Sequence, residues 1–458
     1  MNNKRSSQIG KSSFAQKLMV LVVPIAFQQF MLASVSASDA LMLGRVDQNS
    51  LSAVSLAGQI QFILNLFLAA MTIGTSIFTA QYWGKGDKKS IEKIFAMVIK
   101  VTAIVSGMFF IAALCFPQVL MEIFTEDKTL VYMGGQYLRI VSISYLLCGI
   151  SQIYLCIMKN TALAVKSTII SSAAVIINIV FNGILIFGLM GVPEMGIVGA
   201  AIATVIARII ELIWAVFDSL KEERIRLRIK YVMSSDNTMK KDFWKYTLPV
   251  LGNEIVWGCG FTMTSVIMGH LGTDAVAANS VANIVRNLIA CFCIGIGSGG
   301  GIIVGNELGA GHPMKAKEYG HRLCKMSLLS GAVSGILIVL LIPLILKCVD
   351  LSSESHDYLK WMLLMSSYYM VGKSINSVTI GGIFCAGGDS KFGFICDTVT
   401  LWCITVPLGL MAAFIFDLPV LAVYFIVNLD EIVKLPAVYI NYKKYKWIKD
   451  LTVVEALQ

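Results

Sequence analysis

Apolar residues in this chain come in long blocks separated by short stretches of charge, glycine and proline. The first block runs from Leu18 to Leu43 and the last from Val420 to Tyr442. Between them lie blocks centred near Asn65, Ala103, Tyr145, Ile177, Ile206, Trp257, Arg286, Ile336, Met370 and Ile404. About 20 apolar residues cross the hydrocarbon of a bilayer as a helix. A membrane strand needs alternation over about ten residues, which is absent. The pattern predicts an all-α integral membrane protein with twelve transmembrane helices.

The blocks repeat. Residues 24–93 align with 249–318 at a constant offset of 225, pairing Pro24 with Pro249, Gly44 with Gly269, and Ala53, Ser55 and Ala57 with Ala278, Ser280 and Ala282. Gly84 and Gly86 fall on Gly309 and Gly311, and Lys166 falls on Lys391. Two pseudo-symmetric six-helix lobes follow, residues 1–220 and 242–458, joined by a basic linker over 221–241. An even number of spans per repeat sends both lobes into the membrane from the same side, a parallel repeat about the membrane normal.

Composition agrees: 57% of the 458 residues are hydrophobic and 14% are charged, against about 25% charged in soluble domains. In a soluble protein the net charge of +9 would suggest nucleic acid; here no nucleic-acid partner is expected, and the positive residues report topology. Most fall where a cytoplasmic N-terminus would put them inside, notably KEERIRLRIK from Lys221, so both termini are expected in the cytoplasm of a cell-membrane protein. The basic N-terminus resembles a signal n-region, but the run from Leu18 exceeds a signal core of about 7–15 residues and no small-residue cleavage site ends it. The 11 cysteines, mostly in apolar blocks and without a CxxC pair, read as free packing thiols. The expected partners are lipids and a small molecule, and a monomer is expected.

Against this background, Asp39 in SASDALMLGRV demands a reason. A carboxylate carried into hydrocarbon costs about 2.5–3.5 kcal/mol on insertion scales. Its repeat counterpart is Thr264, so the other lobe builds the same helix without the acid. Glu254 in PVLGNEIVWG is the reverse case, with Gln29 as its counterpart. A carboxyl group in a partly dehydrated pocket exchanges protons near neutrality, or holds a small cation if neutral oxygens complete its shell. Asn178 and Asn182, one turn apart on a common face, and Thr204 could supply them. Structural readings compete: Asp39 against headgroups or water at the outer interface, the amides linking helices, and Glu254 in a salt bridge with Arg286. Arg286 occupies the place of Gln61 in the other lobe and has no acid within a turn, so it pairs with Glu254 or contacts an anionic substrate group. Arg208 with Glu211, and Asp430 with Lys434, have the spacing of pairs on one helix, while Glu431 pairs elsewhere.

Other chemistries find no support. GIGSGG, Gly295 to Gly300, matches GxGxxG but lies in an apolar helix after no strand and reads as helix packing. The GK[ST] triplets at Gly10 and Gly372 lack the earlier glycine of a phosphate loop. His270, His312, His321 and His356 all fall in predicted loops, and neither HExxH nor GxSxG occurs. An enzyme is not expected, no cofactor is called for, and energy must come from an ion gradient.

PIAFQQ, SDALMLGRV, LSAVSLAGQI, AQYWGKGD, GTDAVAANSVANIV and NELGAGHPMKAKEYG together resemble the MATE (multidrug and toxic compound extrusion) transporters, over about Gln16 to Lys446. The resemblance implies a twelve-helix antiporter that expels organic, cationic or amphipathic compounds by alternating access, driven by Na⁺ or H⁺. Asp39 matches the family's first-helix acid, with Na⁺ as one possible occupant, and Pro24 matches the proline at which that helix bends in some members. Asn178, Asn182 and Thr204 match the polar shell around the acid; one branch carries a second aspartate at the place of Asn182. Glu254 matches the seventh-helix acid, but a tenth-helix aspartate of some members is replaced here by Lys373 and Asn376. A substrate cavity is expected at Gln61, Trp257, Phe261, Arg286 and Tyr368. The alternative is a flippase for a lipid-linked or oligosaccharide substrate, with Arg286 and Lys373 as phosphate contacts.

Overall fold

The protein is described from a computed structural model covering residues 14–233, 236–349 and 351–453. Both termini, to which the charge pattern assigns a side of the membrane, lie outside the described residues. Each apolar block forms a helix, and among the described residues there is no strand. The helices are α1 (Phe14–Gly44), α2 (Gln48–Lys85), α3 (Lys88–Cys115), α4 (Lys128–Asn160), α5 (Ala164–Phe187) and α6 (Gly196–Ser219). They continue with α7 (Asn237–Gly269), α8 (Thr273–Gly309), α9 (Pro313–Cys348), α10 (Ser353–Asn376, widening into a π-helical turn over Ser377–Phe384) and α11 (Ser390–Phe414). The last span, α12, is in three pieces: Val420–Val427, Asp430–Val433 and Leu435–Lys443.

Local chemistry sets several ends. Asp47 and Asp87 precede α2 and α3 in the same D-x-x-S pattern, each accepting from the backbone N–H of the serine three residues on, Ser50 at 2.7 Å and Ser90 at 3.0 Å. Gly188 closes α5 with φ 67°, a left-handed cap that a glycine adopts without strain. Among the described residues nine helices are long and apolar enough to cross a membrane. The other three spans are α7 and α10, which carry Glu254 and Lys373 within their apolar stretches, and α12, which is divided around Asp430, Glu431 and Lys434. The sequence pattern predicts α12 as one helix, and the break has a local cause. The Asn428 amide donates to the Tyr424 carbonyl at 2.8 Å, Pro436 cannot donate to a preceding turn, and three charged residues sit at the interruption. His321 and His356, expected in loops, lie in the first half of α9 and near the start of α10, because those helices run past their apolar blocks into polar turns.

Contacts divide the chain into two units. One comprises residues 30–79 and 87–243, the other residues 1–29, 80–86 and 244–458. In the first, α4 is the central helix, packing on α3, α5 and α6, and its core includes Leu64, Leu138 and Tyr145. The linker belongs to this unit: Arg228 bonds Glu92 at 2.5 Å and Asp236 bonds Lys93 at 3.1 Å, ion pairs tying it to α3.

In the second unit α8 is central, packing on α9 and α10. Its GIGSGGG run lets neighbours come close, as the packing reading requires. A methyl on Gly297 would stand 2.7 Å from the Ser377 carbonyl, and one on Gly299 would stand 2.8 Å from Val22. The last turns of α2 and α8 cross within this unit. A methyl on Gly84 would overlap the Asn306 carbonyl, and one on Gly309 the Gln81 carbonyl. Gly84 and Gly309 are repeat partners, as are Gln81 and Asn306, so the crossing is reciprocal. Ala80 and Gly305, also repeat partners, face each other. The internal repeat is thus expressed locally as a pseudo-two-fold contact.

Residues beyond α12 close the same end. Trp447 is fully buried against Gly320, Tyr442 and Tyr445. The buried Gln81 amide donates to the carbonyls of Ala386 (2.8 Å) and Lys449 (3.1 Å), and its oxygen accepts from the Leu451 N–H at 2.6 Å. We expect Gly309→Ala to destabilise the protein by about 1–3 kcal/mol through overpacking, read as a lower thermal midpoint in detergent. Gly107→Ala, with nothing within 4 Å of the added methyl, should not lower it; equal midpoints would contradict the crossing.

Candidate functional site

The first unit brings four sequence candidates together. Asp39 lies on α1 one turn before its end, Asn178 and Asn182 on consecutive turns of α5, and Thr204 on α6. The Asn182 amide donates to Asp39 Oδ1 at 2.6 Å and to Asn178 Oδ1 at 3.3 Å. Asn178 donates to Thr204 Oγ1 at 3.3 Å, whose hydroxyl donates to the Ala200 carbonyl at 3.0 Å. From Asn182, therefore, one bond reaches the acid, while the rest of the chain runs away from it through Asn178 and Thr204 to the Ala200 carbonyl. Asn182 is fully buried, yet its Oδ1 has no partner. Asp39 is partly exposed. Tyr137 on α4 lies close enough to feel the Asp39 charge. Sequence pattern passes over it, because a tyrosine within an apolar block reads as packing.

This arrangement can hold a proton on Asp39 or a small cation among hard oxygens: the carboxylate, the Asn182 and Asn178 carbonyls and the Thr204 hydroxyl. Among the described residues no group of three or more His, Cys, Asp or Glu could hold a metal ion. Pro24 lies inside the continuous α1, and the contact grouping changes between Gln29 and Phe30, about a turn and a half past it.

The second unit holds a different constellation. Glu254 on α7 makes no hydrogen bond or ion pair among the described residues; Lys373 and Asp397 are the charges that act on it. The expected Glu254–Arg286 bridge is not formed. Arg286 instead donates to the amide oxygens of Asn283 (2.5 Å) and Asn428, and its guanidinium lies 4.6 Å from the centre of the Tyr369 ring. Neutral acceptors on its own helix and at the α12 break satisfy it before it can reach α7.

The remaining charges form a buried cluster around that break. Lys434, 3% exposed, bonds Asp397 at 2.8 Å and lies 3.5 Å from both Asp430 and Glu431. Lys373 bonds Glu431 at 3.1 Å, and Asn376 donates to the Glu431 carboxylate at 2.7 Å. The Asp430–Lys434 pair is therefore present but secondary: the shortest bond of Lys434 goes to Asp397 on α11. Asp397 sits in KFGFICDTVTLWCITVP, where a lone acid in an apolar run is the signal that could have found it. In the first unit, Arg208 and Glu211 pair at 2.6 Å, with Ser151 donating to Glu211 at 3.3 Å.

Trp257, Phe261 and Arg286 line one cavity of about 80 Å³ in the second unit. Trp257 and Phe261 stack with ring centres 5.8 Å apart. Tyr369, not Tyr368, forms its wall; one residue along a helix is about 100° of rotation, which turns the Tyr368 ring onto Phe425 at 5.7 Å instead. Gln61 does not line this cavity. It belongs to the first unit, where it donates to Asn65 at 3.3 Å.

A duplicated helical membrane protein with intramembrane acids has the build of a membrane transporter, and the family that its sequence matches is one of transporters, not enzymes. Residues 24–184 and 249–430 each match the MatE family model, two matches whose starts are the repeat partners Pro24 and Pro249, and the chain belongs to that family. YisQ of Bacillus subtilis (strain 168), described as an uncharacterized transporter, is 22% identical over 440 residues, covering 94% of this chain and 95% of that one. A probable multidrug resistance protein NorM from Mannheimia succiniciproducens is 26% identical over 411 residues, covering 86% and 85%. Among solved structures, a MATE transporter in complex with MaL6 has a TM-score of 0.86 at 15% identity, covering 94% of this chain and 96% of that one. A MOP superfamily transporter from Pyrococcus furiosus Vc1 has a TM-score of 0.85 at 16% identity, covering 94% and 95%. These likenesses establish the fold, twelve transmembrane helices in two lobes.

Removing the ammonium of Lys434 leaves Lys373 alone against Asp397, Asp430 and Glu431. Lys434→Met should cost about 3–5 kcal/mol, as breaking a buried ion pair does, whereas Lys221→Met, which removes an exposed ammonium and leaves Asp218 its second partner Lys166, should cost about 0–1 kcal/mol. Unfolding in a denaturing-detergent titration measures both, and equal losses would count against the cluster as a structural centre.

Proposed function

We propose that this chain is a cation-coupled antiporter of the cell membrane, exporting organic cationic or amphipathic compounds in exchange for Na⁺ or H⁺, with Asp39 as the coupling group. The observation that carries the reading is the Asp39–Asn182–Asn178–Thr204 chain, with a buried carbonyl oxygen left over beside a carboxylate. Buried polar atoms are paired as a rule, and this unpaired one stands directly beside a carboxylate among neutral oxygens. An exchangeable occupant gives the spare oxygen of Asn182 something to do. Family membership and relatives named as multidrug resistance proteins support organic substrates. A potential of 100 mV contributes about 2.3 kcal/mol per charge moved, so one cation suffices for modest accumulation.

Alternating access would use α1. Its residues after Gln29 group with the Asp39 site and those before it with the other unit, while Pro24 removes one hydrogen bond from the helix ladder near that division. Release of the cation from Asp39 would then be coupled to bending of α1 at Pro24. Glu254, a carboxyl group without a partner among the described residues, is the second-lobe acid in this scheme. The flippase reading needs cavity cations free for phosphate groups, and the bond from Lys373 to Glu431 weakens it. The charge distribution supports cytoplasmic termini and nothing requires more than a monomer.

The test is transport of a fluorescent organic cation in proteoliposomes, with sodium and pH gradients imposed separately. One gradient should drive export by the unaltered protein. Asp39→Asn should reduce driven export to background, and Asn182→Ala should reduce it partially. Wild-type pumping by Asp39→Asn would overturn the role given to this acid.

A further inference from the structure

Cations gather where the start of α9 meets the residues beyond α12. Residues 314–325 carry Lys315, Lys317, Arg322 and Lys325 against Glu318 alone, and residues 442–450 carry Lys443, Lys444, Lys446 and Lys449 against Asp450 alone. The two stretches pack together: the Lys317 ammonium lies 3.8 Å from the centre of the Tyr445 ring, and the Trp447 ring fills the space against Gly320. An open cavity of about 440 Å³ lies between them, with Lys315, Lys317, His321, Tyr442 and Tyr445 on its wall; the cavity beside Arg286 holds about 80 Å³.

The acids of these elements are engaged. Glu318, also on the wall, bonds Arg322 at 2.5 Å. Glu307 bonds Lys17 at 2.8 Å, Asp389 accepts from the Asn441 amide, and Asp450 accepts from the Thr452 hydroxyl. Among the described residues neither Lys315 nor Lys317 has a carboxylate within ion-pair distance, so the cavity keeps two positive charges. In the repeat their places are taken by Ser90 and Glu92, so the scaffold is built without them.

The surface next to the cavity says what would cover it. Met314, Lys317, Glu318 and His321 share one face of α9. That face continues through Lys325 to Leu328, Ile336 and Val339, all exposed, an apolar strip that only hydrocarbon suits in a membrane-spanning helix. On the other wall, exposed Tyr439 and Ile440 precede Tyr442 and Tyr445, and tyrosines concentrate at the depth of lipid headgroups. Leu328 lies seven residues past His321, about 10 Å along the helix, and the headgroup layer of one leaflet is about 5–8 Å deep. A molecule with a phosphate in the cavity would therefore lay its chains on the strip.

We propose that this cavity is a binding site for an anionic phospholipid, whose phosphodiester is received by Lys315 and Lys317 and whose acyl chains run along α9 from Leu328 toward Val339. Its occupant is a membrane component rather than a transported compound, so the site stands independently of the antiport reading.

Calorimetric titration of the purified full chain in a neutral detergent tests it. The probes are dioctanoylphosphatidylglycerol, dioctanoylphosphatidylcholine, and glycerophosphoglycerol, which carries the first lipid's phosphodiester without its chains. The anionic lipid should bind about ten-fold or more tightly than the choline lipid, as two lysines near its headgroup imply, and added salt should shrink that preference. Lys315→Gln combined with Lys317→Gln should remove most of it. Lys88→Gln combined with Lys89→Gln, at exposed positions at the start of α3, should leave it intact. Equal binding of the two lipids by the unaltered protein would overturn the proposal whatever the variants do. So would equal losses in the two double variants, which would mean diffuse surface charge, or binding of glycerophosphoglycerol as tight as that of the anionic lipid, which would mean a site for soluble phosphates.

Discussion

In hydrocarbon there is no water to satisfy a polar group, so each buried donor, acceptor or charge must find its partner within the protein. That constraint organises this molecule. Its backbone is helical wherever the chain is apolar, and where a helix departs from regularity the freed groups are met by side chains. Around the interruption of α12, Asn428 takes the Tyr424 carbonyl and Asn376 takes a carbonyl and a carboxylate of Glu431. Lys434 stands among three acids at the same place. The π-helical turns of α10 and α11 begin just after Asn376 and Asp397, residues of this cluster, in keeping with the frequent use of such turns at functional sites.

The two repeats share a scaffold and differ in what they do with charge. Their common features are the prolines in α1 and α7, the small residues of α2 and α8, and the reciprocal glycine crossing at the ends of those two helices. Their chemistry diverges at the positions where membrane proteins can least afford an idle polar group. Asp39 faces amides and a hydroxyl in one unit, and its counterpart Thr264 borders a cavity with a cation in the other. A duplicated fold has thereby become two halves that differ in where they keep their charges.

Much of the fold was legible because apolar block length and the repeat offset are properties of the chain itself. The polar shell of Asp39 was legible for a related reason: Asn178 and Asn182 are one turn apart, so helical geometry puts them on one face. Contacts between helices distant in sequence were not. Nothing in the spacing of Lys434 announces that Asp397, on α11, will be its shortest bond, and the i, i+4 rule points to Asp430 instead. Likewise a choice between Tyr368 and Tyr369 depends on the rotation of α10, which an apolar block leaves undetermined. Of the two partners open to Arg286 in the sequence, Glu254 is not the one it meets, because amide oxygens nearer to hand satisfy its geometry.

The polar grip of Gln81 sets an order of events during synthesis. One bond to its side-chain oxygen comes from Leu451, 370 residues further along the chain. Until that stretch has emerged from the ribosome, the carboxamide must stay hydrated or borrow partners, and the Trp447 ring is not yet there to fill its seat beside Gly320. This end of the bundle is consequently among the last parts of the molecule to become watertight, and a nascent chain remains wet there long after its first helices have entered the bilayer.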